Sequence, residues 1–327
     1  MFFIKKVLLL FGGKSHEHLI SCMSCASVAE NIDDSLFFYK LVGIDLDNNW
    51  YEYTGSIDNL KSGDWKYSVI PISDVINYLK SFDVVFPLTH GKYGEDGRLQ
   101  GFFDMFNIKY VGCGTLTSSV LMDKDISKMI FNSLKYKQVS YITLYRNYNL
   151  DEVLDCISFP MIVKPANGGS SIGINKVNDI KELKKCIDSA FNYDDKVIVE
   201  KFINARELEV AILEDEDIVV SDVGEIKTSS EYYDYRAKYI DDNSETCIAD
   251  IPESVSNEIK KMAKDVFIRL GLSGYSRIDF FYDGDIYINE INTIPGFTDI
   301  SMFPKLLMEM KYSYSDIITK IINKALR

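Results

Sequence analysis

Apolar runs alternate along this chain with polar, glycine-bearing segments, and the spacing within each run predicts its element. Lys6-Val-Leu-Leu-Leu-Phe11 is continuously apolar, as a strand buried on both faces would be. It ends in Gly12-Gly13, ahead of helical apolar spacing over about 20–32. That order opens a parallel α/β unit whose ligand loop sits at the carboxyl end of its first strand. Residues 39–53 read as a strand and a hairpin, 82–88 as a buried strand, and 108–112 as a short one. A single helix is predicted over 116–134. The run 159–165 is a strand carrying Lys164, followed by Asn167-Gly168-Gly169-Ser170-Ser171-Ile172-Gly173. Further on come a helix over 180–191, a strand over 197–203 that runs into a linker, and a strand from Glu207 to Ile212. Residues 224–250 show no periodicity and predict a lid-like loop. A helix over 254–270 leads into a last hairpin.

That hairpin carries the densest chemistry. Ser276-Arg277-Ile278-Asp279 and Tyr287-Ile288-Asn289-Glu290-Ile291-Asn292 flank Asp283-Gly284, a preferred two-residue loop. With that loop, Tyr282 pairs with Asp285, Arg277 falls opposite Glu290, and Asp279 falls opposite Ile288, diagonal to Glu290. Side chains alternate along a strand, so Arg277, Asp279, Glu290 and Asn292 project from one face. A three-residue loop would break this arrangement. Two carboxylates and an amide oxygen make a hard oxygen set suited to magnesium, which shares its other positions with water and substrate phosphates. The plain alternative is a solvated face on which Arg277 pairs with its acids.

Two glycine-rich stretches offer binding loops. Thr89-His90-Gly91-Lys92-Tyr93-Gly94-Glu95-Asp96-Gly97 permits close backbone approach to a ligand, or simply tight turns. The Gly/Ser loop after Lys164 can cradle phosphates with its N–H groups, or be an ordinary hairpin. Beyond Glu200, a chain crossing between lobes offers amide groups that can read an adenine edge.

Composition narrows the setting. The chain has 327 residues, enough for two or three domains, with 46% hydrophobic and 26% charged residues. A net charge of −13 argues against sequence-independent nucleic-acid binding. Six scattered cysteines and a core-like first strand suit a reducing cytoplasm, and no apolar run reaches the roughly 18 residues of a membrane span. Cys22-Met-Ser-Cys25 lacks a second CxxC and reads as helix packing. Gly13-Lys14-Ser15 is not the tail of a P-loop, because the required first glycine is Leu8. His16-Glu17-His18 has no zinc-protease spacing. Glu17 can cap a helix or receive a substrate ammonium.

Read together, FGGKSHEHLIS, THGKYGEDGRLQG, YVGCGTLTSSVLMDK, IVKPANGGSSIG, VEKFINARELEVAIL, YYDYRAKY and SRIDFFYDGDIYINEINTIPGFT resemble, in order, the D-alanine–D-alanine ligase family of the ATP-grasp superfamily, including its D-alanine–D-serine branch associated with vancomycin resistance. The resemblance implies an α/β ATP-grasp fold of three α/β domains, here 1–120 with a Rossmann-like parallel sheet, 121–205, and 206–327. ATP would lie between the central and C-terminal sheets. Lys124 and Lys164 would contact its phosphates, Glu200, Phe202 and Ile203 its adenine, Glu207 its ribose, and Lys238 its γ-phosphate. Asp279, Glu290 and Asn292 would bind two magnesium ions, with manganese as a substitute. Glu17 would pair with the first substrate's ammonium, and Ser170 and Tyr239 would join it in a hydrogen-bonded triad. Arg277 and the Gly296 N–H would form an oxyanion hole. His90 and Glu95 would support the substrate site, and Ser301 would bind the second substrate's carboxylate. The resemblance also implies cytoplasmic dipeptide synthesis for the cell wall by a homodimer.

The departures lie at the acceptor end. After the Pro-Gly turn this chain reads Thr298-Asp299-Ile300-Ser301, where the family commonly has Thr-Ser-His-Ser. Met302 replaces the leucine of the alanine type and the arginine of the serine type. Asn-Thr-Ile-Pro-Gly-Phe-Thr is similar to the serine branch, whereas an apolar Met302 suits a methyl group. The expectation is therefore D-alanine as second substrate, with D-serine as the alternative. A catalytically silent ATP-binding relative is the rival from another class.

Overall fold

The computed structural model describes residues 4–170, 172–227, 245–298 and 300–327, so Lys238, Tyr239 and Asp299 lie outside the described residues. The first sheet holds β1 (Lys5–Gly12), β2 (Phe37–Ile44), β3 (Trp50–Tyr53), β4 (Val69–Pro71) and β5 (Val84–Pro87) in the order β4-β3-β2-β1-β5. Strand β1 pairs in parallel with both β2 and β5, as its unbroken apolar run predicts, and Val7 to Phe11 are fully buried. Helix His18–Asn31 packs Cys22, Cys25 and Val28 onto this sheet. Burial pushes the Cys22 thiol up to about 12, so it behaves as a small core residue.

Up to Ser133, two predicted elements differ. The strand expected over 108–112 is a single parallel bridge, Val85 to Tyr110. Positive φ at Asn107 and Gly112 turns the chain away at both ends, leaving room for one paired residue. The helix expected over 116–134 is two, Thr115–Met122 and Lys124–Ser133. Asp123 breaks it with extended backbone, and its carboxylate accepts from the Asp125 and Ile126 N–H groups at 3.0 and 3.2 Å. The break lets the Lys124 N–H donate to Ala166 O at 3.0 Å, which anchors Lys124 beside the Gly/Ser loop.

The second sheet contains β6 (Tyr141–Tyr145), β7 (Met161–Pro165), β8 (Asn175–Val177) and β9 (Lys196–Lys201), ordered β6-β9-β7-β8 and antiparallel throughout. Met161, Val163, Val197 and Val199 face its helices. By alternation, Ile162, Lys164 and Glu200 face the other way.

The third sheet contains β10 (Arg206–Glu214), β11 (Ile218–Val220), β12 (Gly224–Lys227), β13 (Glu245–Ile248), β14 (Tyr275–Tyr282) and β15 (Ile286–Asn292). Its order is β13-β12-β10-β14-β15, with β11 also on β10. The aperiodic stretch 224–250 thus starts and ends in paired strands, each four residues long and too short to register as a period. Helix Glu253–Arg269 buries Ile259, Ala263, Val266 and Phe267, one stripe at helical spacing, against Leu208, Val210 and Ile278. Helices Met302–Glu309 and Tyr314–Leu326 return to the first sheet, where Phe86, Tyr275, Phe297, Phe303 and Ile318 share one core. Phe297 stacks edge-on to Phe86 and Tyr275 at 6.0 and 5.7 Å, which fixes the turn after β15 beside the end of β5. Among the described residues no helix is long and apolar enough to cross a membrane.

Candidate active site

The acid-bearing hairpin reaches one face by a different register. Tyr282 pairs with Ile286, so the loop is three residues, Asp283 to Asp285, with φ +112° at Gly284. Alone, that would put Glu290 and Asn292 on the opposite face from Arg277. A bulge between Asp279 and Phe280 leaves Asn289 unpaired, and beyond it Asp279 faces Glu290 and Arg277 faces Asn292. The bulge restores what the longer loop would break. Glu209 on β10 lies opposite Asp279 and joins the same face, a residue the sequence reading missed although it alternates with Glu207.

Arg277 donates to both Asp279 oxygens at 2.8 and 2.7 Å, and its Nε lies 3.0 Å from Glu209. Burial works against this guanidinium, yet Asp279 and Glu209 outweigh it and raise its pKa well above the ordinary value. Asn292 Nδ2 donates to Asp279 at 3.0 Å. The ion pair of the plain alternative is therefore present, but in a largely buried cleft rather than on a solvated face. Among the described residues no three His, Cys, Asp or Glu side chains converge on one point. Asp279, Glu290 and Asn292 fit a magnesium site only if phosphate and water complete the oxygen shell, the habit of that ion.

Glu290 and Lys124 lie 3.8 Å apart on a wall shared by two cavities. The first cavity lies between the second and third sheets and is lined by Lys164, Glu200, Phe202, Ile203, Glu207, Asp279 and Phe280. Glu200 sits between Lys164 and Lys128, each at 2.8 Å. Burial alone would push its carboxyl up, but the two lysines prevail and bring it down to about 2. Lys128, almost fully buried, was also missed, since a lysine one turn after Lys124 reads as solvated helix surface. The Phe202 N–H is not free to read a base, because it donates to Pro160 O at 3.0 Å. The Ile203 N–H makes no hydrogen bond among the described residues.

The second cavity is lined by Glu17, His90, Glu95, Ser170, Arg277, Gly296, Ser301 and Met302 among others. Glu17 is buried and accepts from the Ser170 hydroxyl, 153 residues away. The carboxylate needs glycine around it, for a Cβ on Gly169 would stand 2.5 Å from Glu17 Oε2 and one on Gly91 2.2 Å. Lys124 reaches in from the shared wall and donates to Gly168 O at 2.6 Å. Burial lowers its pKa although Glu290 opposes the shift. Ser301 Oγ accepts from the Thr298 N–H at 3.0 Å and lies 2.8 Å from Thr298 Oγ1. Met302 borders this cavity but is 5% exposed and packs within the core near Gly224 and Leu306. Glu95 accepts from the Gly91 and Ile294 N–H groups, and burial together with Glu17 pushes its carboxyl up to about 7.

Family profiles described as D-Ala D-Ala ligase N-terminus and C-terminus match residues 6–113 and 123–323. The chain belongs to the D-alanine–D-alanine ligase family. It is 41% identical to the D-alanine–D-alanine ligase of Acetivibrio thermocellus over 361 residues, spanning 99% of this chain and 96% of that protein. The ligase of Clostridium acetobutylicum is likewise 41% identical, over 98% of each. Among solved structures, the VanG D-Ala:D-Ser ligase of Enterococcus faecalis superposes with a TM-score of 0.88 at 35% identity, over 99% of this chain and 100% of that one. The D-alanine–D-alanine ligase of Coxiella burnetii gives 0.86 at 30% identity, over 98% and 94%. That of Bacillus anthracis, complexed with ATP, gives 0.77 at 28%, over 99% and 98%. The chain therefore has the ATP-grasp fold and is a ligase-family enzyme.

Proposed function

We propose that this enzyme joins two D-alanines to D-alanyl-D-alanine at the expense of ATP, for peptidoglycan precursor synthesis. The observation that carries the proposal is the shared wall: Lys124, Glu209 and Glu290 line both the cleft suited to a nucleotide and the pocket holding Glu17. A phosphoryl group in one cavity then meets a carboxylate in the other.

In this reading Glu17 pairs with the ammonium of the first D-alanine, held in place by Ser170 and by Tyr239. The substrate carboxylate attacks the γ-phosphorus, ADP leaves, and an acyl phosphate forms. The amine of the second D-alanine, with its carboxylate at Ser301, attacks the carbonyl carbon. Phosphate departs with the C–O bond electrons, and the nitrogen loses a proton to complete the amide. Arg277 and the Gly296 N–H stabilise the oxyanion between those steps. Lys124, Lys164 and Lys238 offset phosphate charge, Ile203 meets the adenine, and Glu207 holds the ribose. Two magnesium ions at Asp279, Glu290 and Asn292 would supply charge neutralisation on the phosphates. The proposed division is 1–120, 121–205 and 206–327, and the proposed setting is a cytoplasmic homodimer.

The likeness to VanG supports a second reading in which D-serine is the acceptor. The apolar Met302 and Ile300 beside Ser301 favour D-alanine, because neither can pair with a hydroxyl. The test is phosphate release with ATP, magnesium and D-alanine, alone and with D-serine, D-lactate or glycine, with products identified by mass spectrometry. Homodipeptide from D-alanine alone is expected. Release only with D-serine would transfer the enzyme to the other branch, and no release with any acceptor would sink the ligase reading.

A further inference from the structure

The segment Thr293-Ile294-Pro295-Gly296-Phe297-Thr298 leaves β15 at the mouth of the substrate pocket with no regular structure of its own. Its backbone is held instead by side chains from the opposite end of the sequence. The Ile294 N–H donates to Glu95 Oε1 at 2.9 Å, across 199 residues. The Ile294 carbonyl meets His90 Nδ1 at 2.9 Å. A carbonyl only accepts, so Nδ1 carries the proton, and burial lowers the His90 pKa and keeps the ring neutral. His90 Nε2 is then an acceptor, and it takes the Ser24 hydroxyl at 2.8 Å. Ser24 Oγ in turn accepts from the Phe297 N–H at 3.2 Å, across 273 residues. Pro295 has no N–H to place. Each donor in this network has one acceptor, and both peptides flanking Pro295-Gly296 are fixed.

The same residues hold the donor side. Glu95 Oε2 accepts from the Gly91 N–H at 3.0 Å, while Ser15 Oγ donates to His90 O at 2.8 Å and accepts from the Glu17 N–H at 3.0 Å. We propose that Ser24, His90 and Glu95 are positioning residues that clamp the 294–297 backbone, so that the Gly296 N–H is aimed at the reacting carbonyl in register with Glu17. They act through the turn, a positioning role distinct from the substrate-binding role the family resemblance implies for His90, although His90 and Glu95 border the same cavity. This rests on Gly296 as an oxyanion donor, so the clamp should matter to the amide-forming step and little to acyl phosphate formation.

Two variants of the full-length enzyme test it. Glu95→Gln keeps the shape but sets an amide NH2 against one of the two N–H donors. Ser24→Ala removes one small hydroxyl and keeps the test available should the first variant fold poorly. Dipeptide synthesis should fall about tenfold to a hundredfold in Glu95→Gln and several-fold in Ser24→Ala. Positional isotope exchange in 18O-labelled ATP with D-alanine, which reads reversible acyl phosphate formation, should stay within about twofold of wild type in Ser24→Ala and should fall less than synthesis does in Glu95→Gln, where Glu95 also holds the Gly91 N–H beside Glu17. The double variant should lose less than the product of the single losses, because both act on one turn. Unchanged synthesis, or exchange falling in proportion to synthesis, would overturn the clamp. Wild-type enzyme showing neither exchange nor dipeptide would overturn the ligase reading itself.

Discussion

Replacing Lys128 by methionine tests the buried Lys128–Glu200–Lys164 cluster. The ammonium stands 2.8 Å from Glu200, and the lysine is 2% exposed, so solvent cannot replace it. Against an ordinary glutamate value of 4.5, a folded value of about 2 corresponds to about 3 kcal/mol at 1.36 kcal/mol per pH unit. The folded value lies below the unfolded one. That stability is therefore fully present above about pH 4.5 and is lost as pH falls toward about 2. Without Lys128 the carboxylate keeps Lys164, also at 2.8 Å, so no charge is stranded. The cost is then that of one charged hydrogen bond, about 1.5–3 kcal/mol, rather than the larger penalty of a broken buried pair. At about 2 °C per kcal/mol for a chain of this size, the thermal midpoint at pH 7 should fall by about 3–6 °C. The acid limb of stability should also move to higher pH. Lys164, left as the lysine in direct contact with Glu200, has less freedom to meet a phosphate, and KM for ATP should rise by roughly up to tenfold. Scanning calorimetry from pH 3 to 8 and initial-rate kinetics read these effects. An unchanged midpoint with an unchanged acid limb would refute the electrostatic account of this cluster.

Gly169→Ala should raise KM for D-alanine by about tenfold with little loss of stability, because the new Cβ displaces the Glu17 carboxylate; an unchanged KM would remove Glu17 from the donor site. Glu290→Ala should abolish turnover and weaken magnesium–ATP binding measured by calorimetry, and wild-type phosphate release would end the metal assignment. Met302→Arg should lower D-alanine use relative to D-serine in competition assays, and should also lower the thermal midpoint because the site is 5% exposed. An acceptor ratio that did not move would show that Met302 belongs to the core alone.

Local pattern was enough for much of this protein. The apolar run of β1 predicted its parallel neighbours, and the stripe in Glu253–Arg269 predicted that helix; Arg277, Asp279, Glu290 and Asn292 do share one face, but not by the two-residue loop from which alternation placed them there. These are properties of consecutive residues, which is what period and propensity report. The same local rules failed where a partner was remote. The loop of the last hairpin is three residues, and the compensating bulge at Asn289 has no signature in composition. Asp123 breaks a helix that its own spacing would continue, because its backbone pairs with Asn167. Lys128 looks like helix surface until β9 brings Glu200 against it. The Glu17–Ser170 contact spans 153 residues and the Ser24–Phe297 contact spans 273. Sequence alone determined which side chains could do the chemistry; packing of three sheets and the returning C-terminal helices decided which of them meet, since contacts at such separations arise from burial of faces and not from any local period.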